Sequence, residues 1–275
     1  MDSNPGPIGV FDSGYGGLTI LREIRRRLPE YDYLYFGDNA RAPYGERSFD
    51  IVYEFTLQAV RMLFARGCHL VILACNTASA KALRSIQQND LPEIDPRRRV
   101  LGVIIPTVER LSEFSASGHV GLLATPGTVN SHSYRIELEK LHPDMRVTEH
   151  ACPMWVPLVE NGEADHPGAD YFVRKYLDAI LGKDPEIDTL VLGCTHYPML
   201  IGKIREFAPE HIRIVAQGDL VAESLADYLR RHPEMERMCS KGGTAEFLTS
   251  ESSEKFNRTA SIFLDTEVNS SRISL

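Results

Sequence analysis

Short apolar runs alternate with longer stretches of helical spacing along most of the chain. Strands buried in parallel sheets read as continuous apolar runs, whereas amphipathic helices repeat apolar residues every three to four positions. On that basis PIGVF (7–11), YLYFG (33–37), LVILA (70–74), VLGVI (100–104), HVGLLA (119–124), MRVTEHA (145–151), TLVLG (189–193) and IRIVA (212–216) are predicted strands, with TAEFLTS a late addition. Predicted helices cover 18–28, 49–67, the SAKALRSIQQ stretch, 129–141, 169–181, 220–231 and 253–264. Gly67 is expected to close the second helix. The polar tail DTEVNSSRISL is expected to fray.

This alternation predicts an α/β fold: two similar domains with mainly parallel sheets flanked by helices. The similarity rests on an internal echo. IGVFDSGYGG returns as VGLLATPGT, and LVILACNTA returns as LVLGCTHYP, with the two cysteines 194 − 75 = 119 residues apart. The expected domains are 1–99 plus 210–275 and 100–209, the chain crossing near 100 and returning near 210. Open parallel sheets bind ligands beyond the carboxyl ends of their strands. All four echoed loops lie at such ends, so the expected site is a cleft between the domains with one cysteine on each wall.

Composition narrows the classes. The 275 residues are 43% hydrophobic and 25% charged, ample for a core. A net charge of -8 argues against a nucleic-acid partner. The RRR runs at 25–27 and 97–99 read as solvated faces. No stretch approaches the roughly 20 apolar residues of a membrane span. The start, MDSNPGP, has no signal-peptide character, so a cytoplasmic location is expected. Five scattered cysteines argue against a disulfide framework.

Cys75 and Cys194 each follow a strand and precede a helix, where the helix dipole and free N–H groups favour a thiolate. Simple packing is the alternative, because cysteine is among the most buried residue types. Packing is the reading kept for Cys68, Cys152 and Cys239. Around the pair, Asn76-Thr77 and Thr195-His196 supply polar groups that a packing cysteine does not need. In DSGYGG (12–17) the glycines allow close backbone approach, and the N–H groups opening the next helix suit an anion. Thr19 stands where a dinucleotide fingerprint needs glycine. Asp12 fits a partner for an ammonium group or a thiol's proton, or else a helix cap. Tyr44-Gly45 offers a hydroxyl and N–H groups, or forms a turn. Thr125 and Thr128 flank Gly127 as an anion loop or as caps. His196 beside Cys194 tunes that thiol or carries charge. Further ligands that would let Cys194 and His196 hold a metal do not recur at sensible spacing.

Taken together, GVFDSGYGGLTILREI, YFGDNARAPYG, ACNTASA, ACPMWVPLVENG and LVLGCTHYPML, in that order from about residue 8 to about 264, resemble the glutamate racemase family of the Asp/Glu racemase superfamily. The resemblance implies a racemase that uses neither cofactor nor metal and acts on glutamate through two acid/bases, Cys75 and Cys194. It implies that Asp12 serves Cys75 and His196 serves Cys194, with Cys75 taking the proton of D-glutamate and Cys194 that of L-glutamate. Substrate binding is carried onto Asp12, Ser13, Tyr44, Gly45, Asn76, Thr77, Thr195 and His196, and less tightly onto Thr125 and Thr128. It further implies a homodimer that supplies D-glutamate for peptidoglycan. One departure stands out: many members carry Glu-Pro where this chain has Ile105-Pro106. A long N-terminal extension, linked to precursor activation in some members, is not expected. Three rivals remain: an isomerase of aspartate, hydantoin or maleate; a Cys–His hydrolase using Cys194, which leaves Cys75 unexplained; and an inactive amino-acid-binding protein.

Overall fold

The computed structural model describes residues 4–275, so the first three residues of the MDSNPGP start lie outside it. Its strands are β1 (Ile8–Asp12), β2 (Tyr33–Gly37), β3 (Leu70–Leu73), β4 (Arg99–Gly102), β5 (His119–Ala124), β6 (Arg146–Ala151), β7 (Thr189–Gly193), β8 (Arg213–Val215), β9 (Ala245–Thr249) and β10 (Ser270–Arg272). Among the described residues they form two sheets, ordered β10-β9-β2-β1-β3-β4 and β6-β5-β7-β8. Every pairing is parallel. β1, β2, β3 and β7 are buried along their whole length, which is why they read as unbroken apolar runs.

The echo in the sequence is a repeat in the topology. β1 lies between β2 and β3, with β4 beyond β3; β5 lies between β6 and β7, with β8 beyond β7. Two strands therefore lie in sheets other than those expected. β4 is the fourth strand of the first repeat and β8 the fourth of the second, so the sheets change after Gly102 and Val215 rather than at 99/100 and 209/210. Edge-strand membership depends on pairing far along the chain, which a local apolar run does not encode.

Other differences are local. VLGVI ends as a strand at Gly102, and the helix Ile104–Glu109 takes its last residue. The helix expected over 129–141 breaks into Pro126–Ser131 and Ser133–Leu141 at His132, which has φ 53°. SAKALRSIQQ lies across short helical pieces, with a π turn over Ile86–Asp90. The tail does not simply fray, because β10 pairs with β9 at the sheet edge. An edge strand needs backbone partners on one side only, so polar side chains suffice there. Gly67, at φ +92°, closes Phe49–Ala65 as expected. In the described residues no helix is long and apolar enough to cross a membrane.

Register sets the place of the site. Asp12 pairs with Gly37 and Phe11 with Leu73, so the loops after β1, β2 and β3 leave one edge together. Ala124 pairs with both Ala151 and Gly193, so the loops after β5, β6 and β7 do the same.

Candidate active site

The β1 loop reaches across to the β7 loop. A methyl group on Gly16 would lie 2.2 Å from Thr195 Oγ1 and 2.4 Å from His196 Nδ1, so only glycine allows this approach. The Thr19 hydroxyl donates to the Thr195 carbonyl at 3.0 Å, and the Thr195 hydroxyl to Asp12 Oδ1 at 3.5 Å. Asp12 is 1% exposed and its Oδ2 accepts the Gly14 N–H at 2.9 Å. The Gly17 N–H also serves this carboxylate. Loop N–H groups read from the sequence as an open anion site are thus turned onto a residue of the chain itself. Burial raises the Asp12 carboxyl above its ordinary range, against the opposing pull of His196 and of those N–H groups.

Cys75 caps the helix Asn76–Lys81, its Sγ 3.5 Å from the Ala78 N–H and 3.4 Å from the Ser13 hydroxyl. The helix end does favour the thiolate through the Ala78 N–H, as expected, but it does not prevail. Burial first, and the Asp12 charge second, push the thiol up to about 12, outweighing the Ser13 and Ala78 contacts.

Cys194 enters from the other sheet, following β7. Its Sγ lies 3.9 Å from His196 Nδ1, and His196 Nε2 lies 3.0 Å from Glu160 Oε1. Burial acts against a charged ring, yet the hydrogen bonds to Cys194 and Glu160 outweigh it and raise His196 to about 10. The two cysteine walls therefore differ: one sulfur has a buried carboxylate for a neighbour, the other a cationic ring paired to a carboxylate.

The remaining expected residues gather between these walls. Thr77 Oγ1 lies 3.0 Å from Thr125 Oγ1 and 3.4 Å from Thr128 Oγ1, joining the β3 and β5 loops. The Gly127 N–H donates to the Gly45 carbonyl at 2.6 Å. The Tyr44 hydroxyl, expected to offer itself to a ligand, donates instead to buried Asp38 Oδ2 at 2.5 Å. Arg41 Nε and the Ser250 hydroxyl complete the Asp38 carboxylate at 2.6 and 2.7 Å.

A cavity of about 300 Å³ opens at this junction. Ser13, Tyr44, Gly45, Cys75, Asn76 and Thr77 line it from the first sheet, and Thr125, Cys194, Thr195 and His196 from the second. Asp12 and Thr128 are not on its wall; they stand one layer behind, bonded to residues that are. Other residues line it that were not expected, among them two with ionisable side chains from the second sheet's half. Glu160 ends the helix Trp155–Glu160, and Cys152, read as packing, follows β6. Glu160 lies inside the quoted motif ACPMWVPLVENG, but on its own it reads as one more solvated carboxylate.

Two thiols entering one cavity from different sheets can address one carbon from two sides. The Asp/Glu/Hydantoin racemase family matches residues 14–225. A glutamate racemase from Ruegeria sp. (strain TM1040) is 42% identical over 271 residues, 95% of this chain and 97% of the relative. Among solved structures, a glutamate racemase isoform from Bacillus anthracis superposes with TM-score 0.89 at 33% identity, covering 98% of each chain. The glutamate racemase of Francisella tularensis, solved in complex with D-glutamate, gives TM-score 0.86 at 31% identity, covering 100% of this chain and 98% of that one. The chain belongs to the Asp/Glu/Hydantoin racemase family.

Proposed function

We propose that this protein interconverts L- and D-glutamate by a two-base mechanism with Cys75 and Cys194 as the acid/bases. The observation that carries this reading is the pair of thiols, one from each sheet, lining one cavity of about 300 Å³. In one direction a thiolate takes the Cα proton, and the C–H electron pair stays on the substrate, delocalised into its α-carboxylate. The opposite thiol then gives its proton to the other face of Cα. Roles reverse with the hand of the substrate. Cys75 acts on D-glutamate, handing its own proton toward Asp12; Cys194 acts on L-glutamate, with the His196–Glu160 pair balancing charge beside it. Donors from Ser13, Asn76, Thr77 and Thr195 hold the carboxylates in the cavity.

The same reading takes the two sheets as two domains, the first of them discontinuous. It includes a cytoplasmic homodimer without a nucleic-acid partner, supported by the net charge of -8, and a role in supplying D-glutamate for peptidoglycan. Turnover of glutamate in deuterated water, with no added cofactor, tests the chemistry. Solvent deuterium should enter Cα as optical activity disappears; glutamate that keeps its Cα proton sinks the reading. An aspartate, hydantoin and maleate panel separates the sister isomerases, and light scattering reports the oligomer.

A further inference from the structure

From Asn76 on the cavity wall a buried polar ring runs inward, and the proposed chemistry leaves its other members unused. Asn76, Tyr134, Gln217 and Thr107 are each at most 3% exposed. Asn76 Nδ2 donates to Gln217 Oε1 at 2.6 Å, and the Tyr134 hydroxyl donates to Asn76 Oδ1 at 2.7 Å. Gln217 Nε2 donates to the Tyr134 oxygen at 2.6 Å and to Thr107 Oγ1 at 2.8 Å. The Thr107 hydroxyl spends its own proton on the Val103 carbonyl at 2.8 Å, so it can only accept from Gln217. That sets the orientation of the Gln217 amide, and Gln217 in turn sets that of Asn76. Burial holds the Tyr134 phenol well above its usual range, which keeps it a donor.

One N–H of Asn76 is left over, and Asn76 lines the cavity. The ring therefore occupies the Asn76 carbonyl and leaves an N–H donor unspent at the cavity wall. Its location adds a second consequence. Val103 follows β4 on the outward crossing between sheets, and Gln217 follows β8 on the return. Gln217 precedes the helix Gly218–Arg231 without capping it by its side chain, so that side chain is free to serve the ring.

We propose that Gln217 and Tyr134 are positioning residues that hold the Asn76 side chain as an N–H donor to a substrate carboxylate and tie it to both crossings between the sheets. This rests on the glutamate reading above. It is tested with Tyr134→Phe, Gln217→Met, Asn76→Ala and the double variant Asn76→Ala/Tyr134→Phe, measuring kcat and KM in both directions beside the unfolding midpoint. Loss of a positioning hydrogen bond should raise KM about threefold to tenfold for both enantiomers while kcat stays within about twofold. In the Asn76→Ala background Tyr134→Phe should change KM no further, because its only route to substrate is gone. Tyr134→Phe removes a single oxygen and decides the matter alone where Gln217→Met fails to fold. An unchanged KM, or a full repeat of the effect in the Asn76→Ala background, overturns the positioning role. A wild type that exchanges no Cα proton overturns the glutamate reading instead, and with it the carboxylate assigned to Asn76.

Discussion

The two cysteine loops look alike in sequence and differ in charge. Each follows the third strand of a four-strand repeat and each sulfur reaches the same cavity. Beside Cys75 stands Asp12, a buried carboxylate that with burial pushes the thiol up to about 12. Beside Cys194 stands His196, held near 10 by its bonds to Cys194 and Glu160. A symmetric reaction has thus been placed on an asymmetric frame. The lesson is thermodynamic. Mirror-image amino acids have equal free energy in water, so kcat/KM must be equal in the two directions whatever the walls look like. The asymmetry can surface only in kcat and KM taken separately, and in half-reactions that stop before inversion.

The largest effect comes from removing either thiol. Cys75→Ala and Cys194→Ala should each slow racemisation by about 10³-fold, within the range of a positioned acid/base. Each variant keeps one base, which can remove and return a proton on a single face. Cys194→Ala should therefore wash deuterium into D-glutamate without inverting it, and Cys75→Ala into L-glutamate. Proton NMR of each enantiomer in deuterated water reads this directly. If both variants label the same hand, the assignment of walls is wrong.

Next come the neighbours. Asp12→Asn and His196→Asn should each lower kcat/KM by about 10², equally in both directions. The kcat loss should be greater for D-glutamate in Asp12→Asn and for L-glutamate in His196→Asn, with KM moving to keep the ratios equal. Circular dichroism progress curves from each enantiomer separate the terms, and an identical kcat pattern in the two variants erases the comparison.

Glu160→Gln should act more weakly, lowering kcat/KM by about tenfold through loss of a charge-assisted hydrogen bond. It also has a signature in stability. The folded value of His196 is raised, from 6.5 to about 10, so between those values the folded state binds more protons than the unfolded one. The ring's stabilising contribution is complete below pH 6.5 and is lost as pH rises toward 10. Glu160→Gln should flatten the fall of urea midpoints across that window. An unchanged slope detaches Glu160 from His196.

The cysteine loops were legible because both of their signals are local, an apolar run ending in Cys and its echo 119 residues on. Glu160 was not, because a helix from between β6 and β7 carries it to His196, and nothing in WVPLVE separates it from a surface carboxylate. Direction was hidden as well. Asp12 turns onto the Gly14 N–H and Tyr44 onto Asp38, so residues named for a ligand partly serve the frame that shapes its cavity. Gln217 and Tyr134 left no trace, since a buried polar ring is made by four distant segments at once. Sheet membership of β4 and β8 failed for the same reason as the ring: long-range pairing decides it.

The smallest effect belongs to Ser13→Ala, and it tests the acidic wall most selectively. The Ser13 hydroxyl lies 3.4 Å from Cys75 Sγ, and its contact favours the thiolate against burial and Asp12. Sulfur is a weak acceptor, so removing the contact should lower kcat/KM only about threefold, near the low end for a net hydrogen bond. The direction is what matters. Without Ser13 the Cys75 thiolate becomes harder to form, so the rise of kcat with pH for D-glutamate should move to higher pH, while the rise for L-glutamate, set by Cys194, stays in place. Alkylation of Cys75 should slow in parallel, since the thiolate is the reactive form. A shift of both profiles together would mean that the two walls titrate as one unit, and the contrast between Cys75 and Cys194 would then belong to the pair rather than to either sulfur.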